Sequence, residues 1–414
     1  MRDCLAIAPA ARPTAEDLVR RITTLLDPCA SIVPERCPFP GLAAFSRGGA
    51  ADYFGRDAEL DTLVEQLGRH ALIPVVGPSG IGKSSLIRAG LFPRLERTGS
   101  WVTMSLRLDG SPFHRLAAAL GSPDQTVGEL AESLREDPDY LSLALRNVAK
   151  RHDAQVLLFL DKFEELCKLA APQDDLMAFC DCLARAASGS NPWRIVLALR
   201  DDFLDRLTAV PSMRPHLPAV MVLGPLSRAN LSAAIYGPLA NVNYRADIPE
   251  LVTHIVDEIA EEPASLPLLQ LTCKALWERR DVATRQILTI EYKAMGGATG
   301  ALGTYAQGLV ADLTHEEVHL VRRMLLSLVH PDGTRRRRLR TEVLDGIPAA
   351  SRPVARALLD RLLDRRLVIA AQDSRHHPAQ LEIVHEALAM AWPQLGTWFD
   401  ETYEGFNMTY EERP

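Results

Sequence analysis

Residues 72–90 read LIPVVGPSGIGKSSLIRAG, and no other stretch of the 414-residue chain limits its fold so tightly. Gly77, Gly82, Lys83 and Ser84 satisfy the spacing G-x-x-x-x-G-K-[ST]. An apolar run (Ile73, Val75, Val76) precedes them, and an apolar helical pattern (Leu86, Ile87, Leu91) follows. A strand turning through such a loop into a helix is the setting in which this spacing binds phosphate. Glycines open backbone angles closed to other residues, so successive N–H groups converge on one point. The helix adds its N-terminal N–H groups and the positive end of its dipole. Gly77, Pro78, Ser79, Gly80, Ile81, Gly82, Lys83, Ser84 and Ser85 are therefore expected to cradle the phosphates of a purine nucleoside triphosphate. Lys83 is placed as a point charge for the outer phosphates, and the Ser84 hydroxyl as a ligand of Mg²⁺.

Two further stretches place charge at the ends of apolar runs. VLLFLDKFEEL (156–166) is five apolar residues ending in Asp161, as a buried strand delivering a carboxylate to its C-terminal edge would read. Downstream of a phosphate loop, such an aspartate holds Mg²⁺, usually through water; standing alone, it would read as a helix N-cap. Glu164 and Glu165 follow within one turn, and one of them, by preference Glu165, is expected to orient or deprotonate the attacking water. RIVLALRDDFLDRL (194–207) ends its strand in Arg200. An arginine at a sheet's C-terminal edge lies where ligands bind in open α/β folds and can grip a γ-phosphate bidentately. The alternative is a solvated arginine paired with Asp202 or Asp205.

The organisation follows from the patterning. Strands are expected at 73–76, 101–106, 156–160, 194–199 and 219–223, alternating with helices, which implies a mainly parallel sheet covered on both faces. The chain turns helical from about 226 to 310, with helices at 228–240, 248–260 and 265–280. Three further helices then lead into short strands at 367–371 and 381–384, an order that suggests a winged helix. The expected fold is thus an α/β P-loop NTPase domain (42–224), a helical domain (225–312) and a winged-helix domain (313–400), with a tail at 401–414. An amphipathic helix at 1–27 and a proline-rich linker at 28–41 precede them.

Composition narrows the partners. A net charge of −7 argues against a general nucleic-acid-binding surface. TRRRRLR (334–340) is the sharpest local charge feature, either a phosphate-backbone contact or a solvated turn. The seven cysteines form no C-x-x-C pair, and Cys180 and Cys182 are expected to pack on a helix. No apolar stretch reaches membrane-spanning length, and a reducing cytoplasm is the natural compartment.

Taken together with YFGRDAELDTLVEQL (53–67), SLPLLQLTCKALWERR (265–280) and EIVHEALAMAWPQLGTWF (382–399), these motifs resemble the novel STAND NTPases over about residues 38–400. These are signalling ATPases of the AAA+/apoptotic-ATPase group. The resemblance implies that Gly55 and Arg56 border the adenine and that Arg200 is the sensor arginine. It further implies that Pro267 packs by the base and that His385 holds the β-phosphate of ADP. Two residues depart from the family pattern. Lys162 stands where the family usually has Gln and is expected to pair with a glutamate and slow hydrolysis. Ala264 stands where a Gly often precedes the L-P-L step. CLAIAPAARPTAEDLVRRI (4–22) separately resembles the closing helix of a protein kinase domain, although no kinase catalytic motif occurs. The expected function is an ATP/ADP-operated switch that self-associates with ATP bound and is reset by slow Mg²⁺-dependent hydrolysis. Its kinase effector and C-terminal sensor would lie outside this chain. The alternatives are an ATP-regulated DNA-binding protein and a non-functional fragment of a kinase fusion.

Overall fold

The computed structural model describes residues 35–78, 80–108, 111–122, 124–168, 173–189, 191–262, 265–330, 336–365, 367–371, 380–384 and 392–407. The helix expected at 1–27 lies outside them, as do Ser79, Ala264 and His385. The chain divides into two compact units, Met1–Cys37 and Pro38–Pro414, and the second is described here.

Five strands, β1 (Leu72–Val76), β2 (Trp101–Arg107), β3 (Gln155–Asp161), β4 (Trp193–Leu199) and β5 (Met221–Val222), form a parallel sheet. Their order is β2-β3-β4-β1-β5. Such strands carry apolar residues on both faces, and β3 shows why. Val156, Leu158 and Leu160 join a core with Phe113, Leu116, Phe179 and Leu183 on one face. Leu157 and Phe159 join Leu60, Leu63, Leu86 and Ile87 on the other. Each such side chain contributes roughly 1.5–3 kcal/mol relative to exposure. The expected helix-covered parallel sheet is therefore present. Strand β5 is shorter than expected at 219–223, because Pro211–Ala219 coils as a 3-10 helix. Pro215 and Pro218 have no N–H to donate to a ladder.

Local chemistry sets the helix starts. Thr126 with Glu129, and Thr314 with Glu317, form capping boxes that satisfy otherwise orphaned N–H groups. Cys180 and Cys182 are buried on helix Gln173–Ala186. Cys182 donates to the Leu134 carbonyl at 3.0 Å, and burial pushes its thiol up to about 12, which makes it a packing residue and not a thiolate.

Beyond the sheet run helices Arg228–Asn241, Pro249–Ile259, Ser265–Glu278 and Gly297–Val310. Helices His315–Ser327, Arg340–Asp345 and Arg352–Asp364 follow. The expected hairpin is present, and a strand from the arginine run joins it. A two-residue bridge pairs Arg245–Ala246 (β6) with Gln286–Ile287 (β7), and β8 (Arg338–Leu339), β9 (Val368–Ala371) and β10 (Gln380–Ile383) form an antiparallel sheet ordered β8-β10-β9. Arg337 Nε lies 2.8 Å from a carboxylate oxygen of buried Glu382. Arg340 pairs with Asp360 at 2.6 Å. Two arginines of the run are thus engaged within the fold. The final helix, Pro393–Asn407, extends into the expected tail, and Trp392 donates to Gln307 at 2.7 Å. Among the described residues no helix is long and apolar enough to cross a membrane.

Candidate nucleotide-binding site

The C-terminal ends of β1, β3 and β4 share one edge of the sheet, and the loop leaves β1 there. Gly77 donates to the Leu199 carbonyl at 3.3 Å, which ties the loop to the end of β4. A Cβ at Gly77 would stand 2.7 Å from the Leu223 carbonyl oxygen. Gly80 and Gly82 have φ of +90° and +99°, angles that only glycine adopts without strain. Helix Lys83–Ser85 continues through a π-helical turn at Leu86–Leu91.

Lys83 Nζ donates to the carbonyls of Gly77 at 2.5 Å and Pro78 at 2.9 Å. Burial brings its pKa down to about 8, against the opposing pull of Glu164, while Arg200 pushes it further down. Ser84 Oγ donates to Asp161 Oδ1 at 2.7 Å. Asp161 is 4% exposed, and Arg88 Nη2 lies 2.8 Å from its Oδ2. The Lys162 N–H donates to Oδ1 at 3.1 Å. A hydroxyl and a carboxylate at this separation, both at a phosphate loop, are the donor set Mg²⁺ takes when phosphates complete its shell. The residues present fit the metal.

Lys83, Ser84, Ser85, Asp161, Glu164 and Arg200 line one pocket. Glu165 is not in that lining, contrary to the preference for it. Helix Glu164–Lys168 starts at Glu164, and successive helical residues point about 100° apart, so only the first turns inward. Lys162 also departs from expectation. It adopts φ +56°, and its Nζ lies 3.3 Å from Asp364, at the end of helix Arg352–Asp364, an aspartate where a glutamate partner was expected.

A second pocket, of about 570 Å³ with its open mouth included, adjoins the first through Ala44, Gly80, Gly82 and Ser85. Its walls come from segments distant in sequence, three of which carry its polar groups and Pro267. Asp52, Tyr53 and Arg56 form one, the loop another, and Leu266, Pro267 and Gln270 of helix Ser265–Glu278 the third. Arg56 braces the loop from behind, as its Nη2 donates to the carbonyls of Ile81 at 3.1 Å and Gly224 at 2.9 Å. Its Nη1 pairs with Glu59. Gly55, at φ +88°, lies against helix Arg228–Asn241, where a Cβ would meet the Asn230 carbonyl oxygen at 2.6 Å. Gly55 thus shapes the chain beside the pocket and is not in its lining. Burial pushes the Tyr53 phenol well above its ordinary pKa. Two polar atoms of this lining, Arg56 Nε and Gln270 Oε1, are buried with no hydrogen-bond partner among the described residues.

The sequence reading missed Arg88 and Gln270. Both are polar side chains set in apolar helical runs, and that was the available signal.

The chain matches the family model described as Novel STAND NTPase 1 over residues 38–411. It belongs to this family. As a novel STAND NTPase it is a P-loop NTPase that binds nucleotide. No curated protein matches the chain. Similar solved structures include a Walker-type ATPase of Pyrococcus abyssi, at 16% identity over 84% of this chain and 98% of that one, with a TM-score of 0.44. The ORC1 protein of Aeropyrum pernix in complex with DNA has 16% identity over 85% and 94%, with a TM-score of 0.47. Cdc6p of Pyrobaculum aerophilum has 14% identity over 92% and 98%, with a TM-score of 0.39.

Proposed function

We propose that this NTPase is an ATP/ADP-operated switch, with the purine in the pocket beside Pro267 and the phosphates at the loop. Mg²⁺, held at Ser84 and Asp161, would neutralise phosphate charge. Glu164 takes the proton of the attacking water as the bond from the γ-phosphorus to the β–γ bridging oxygen breaks. Arg200, in the same pocket, grips the γ-phosphate. The helices from 315 to 364 and the β8-β10-β9 sheet act as a winged helix that follows the state of the site. His385 is proposed as the ADP β-phosphate ligand on the family resemblance.

The observation that carries the switch reading is the position of Lys162. Its N–H holds the Asp161 carboxylate, and its side chain holds Asp364, 202 residues away. Bound nucleotide moves such a linked element only through different affinities for its two arrangements. Of the arginine run that would support a DNA-reading role, Arg337 and Arg340 are engaged in ion pairs within the fold.

The test is nucleotide content and assembly. Chromatography of extracts from purified protein is expected to find ADP, and light scattering is expected to find larger assemblies with ATP and Mg²⁺ than with ADP. Nucleotide-free protein with no affinity for either would overturn the proposal. An assembly state indifferent to nucleotide would remove the switch and leave a binder.

A further inference from the structure

Gln270 lies three residues after Pro267, on the same face of helix Ser265–Glu278, and both line the second pocket. The side chain is 7% exposed, and its Oε1 is buried without a donor among the described residues. Folding leaves few such groups unsatisfied, because each forfeits its hydrogen bonds to water with nothing in return. Arg56 Nε, a donor in the same state, lines the same pocket. The rest of the lining is largely aliphatic and aromatic, with Leu42, Phe45, Leu226, Ala234 and Leu266 among it. A largely apolar slot that holds a waiting acceptor and a waiting donor, beside the buried Asp52 carboxylate, has the chemistry to take a heteroaromatic base carrying the opposite pair.

We propose that Gln270 reads the purine at position 6 and makes the site selective for adenine. Adenine offers an exocyclic N6–H donor beside ring-nitrogen acceptors, the edge that a glutamine carboxamide matches. Guanine carries an oxygen at position 6, which faces Gln270 Oε1 acceptor against acceptor with the carboxamide oriented as in this structure. Sites built to hydrogen-bond a ligand group reject ligands lacking it, because the buried protein partner is then left bare. The inference rests on reading the adjoining groove as the nucleotide site.

The test titrates the full chain with ATP, GTP and purine riboside triphosphate, which has hydrogen in place of the 6-amino group. The unaltered protein is expected to bind ATP at least tenfold more tightly than either competitor. Gln270→Leu should weaken ATP by at least the factor that removal of the amino group costs, and should weaken purine riboside triphosphate, which keeps the ring nitrogen but lacks the N6–H, by less. Gln270→Glu keeps an acceptor oxygen and should retain part of the ATP preference. Equal binding of ATP and purine riboside triphosphate, or preference for GTP, by the unaltered protein overturns the proposal without reference to any variant. Equal weakening of all three ligands by Gln270→Leu also overturns it, as that marks a packing role. Absence of binding to all three by the unaltered protein would defeat the nucleotide reading itself, and the inference with it.

Discussion

The two halves of the nucleotide groove are built on different plans. The phosphate end is made of backbone and strand ends: a glycine loop after β1, a carboxylate at the end of β3 and an arginine after β4. Its pieces are ordered by the sheet, whose register carries them to one edge. The base end is assembled from several segments that no sheet aligns, with Arg56, the loop and Gln270 among the pieces brought together there. In the roles proposed above, the first plan would recognise a charge pattern common to all nucleotides and the second one face of one base. Affinity and selectivity should therefore be separable by mutation.

Lys83→Ala should separate them most strongly. Removing a buried charge-assisted donor is expected to weaken ADP by on the order of 100-fold, about 3 kcal/mol, and to leave adenosine affinity unchanged. Calorimetry with both ligands measures this, and equal loss of adenosine binding would mean that the two ends act as one.

Acidity provides the next contrast. Lys83 has a pKa of about 8 without ligand, and a phosphate beside it raises that value. Binding therefore takes up a proton. The affinity is full below about pH 8 and falls as pH rises toward the bound-state pKa, by up to tenfold per unit, about 1.4 kcal/mol. ADP titrations from pH 7 to 9.5 should show this slope, and adenosine titrations should be flat. A flat ADP profile would mean that Lys83 stays charged in the free protein.

The smallest expected effect tests whether the phosphate end communicates with the C-terminal helices. Lys162 and Asp364 are both partly exposed, 34% and 62%. A double-mutant cycle with Lys162→Ala and Asp364→Ala, read by thermal unfolding with ADP bound, should give a coupling of about 0.2–1 kcal/mol. Zero coupling would sever the link between the two regions.

The contrast also explains what was legible in the sequence. Buried parallel strands are written as continuous apolar runs, so β1, β3 and β4 were placed to within a residue, together with the groups at their ends. Loop phosphate binding needs only local backbone, and its spacing is local too. The choice between Glu164 and Glu165 needed the phase of a helix whose start was not marked. Gln270 sits in LPLLQLTC, where periodicity reports burial but not which cavity the one polar side chain enters. Lys162 was read against its sequence neighbours, whereas its partner comes from a helix folded back over the sheet edge. Strand β8 has two residues, too few for any period, and lies inside a run of arginines that reads as surface.

The scattered origin of the base pocket also sets an order of events during synthesis. Arg200, the last described residue in the lining of the phosphate end, is synthesised roughly 70 residues before Gln270 of the opposite wall. At 5–20 residues per second, that interval is on the order of 4–14 s. Through it the sheet-borne residues of the phosphate end exist without the wall that would choose among bases. Among the described pocket residues, the means of discrimination is translated after the means of holding phosphate.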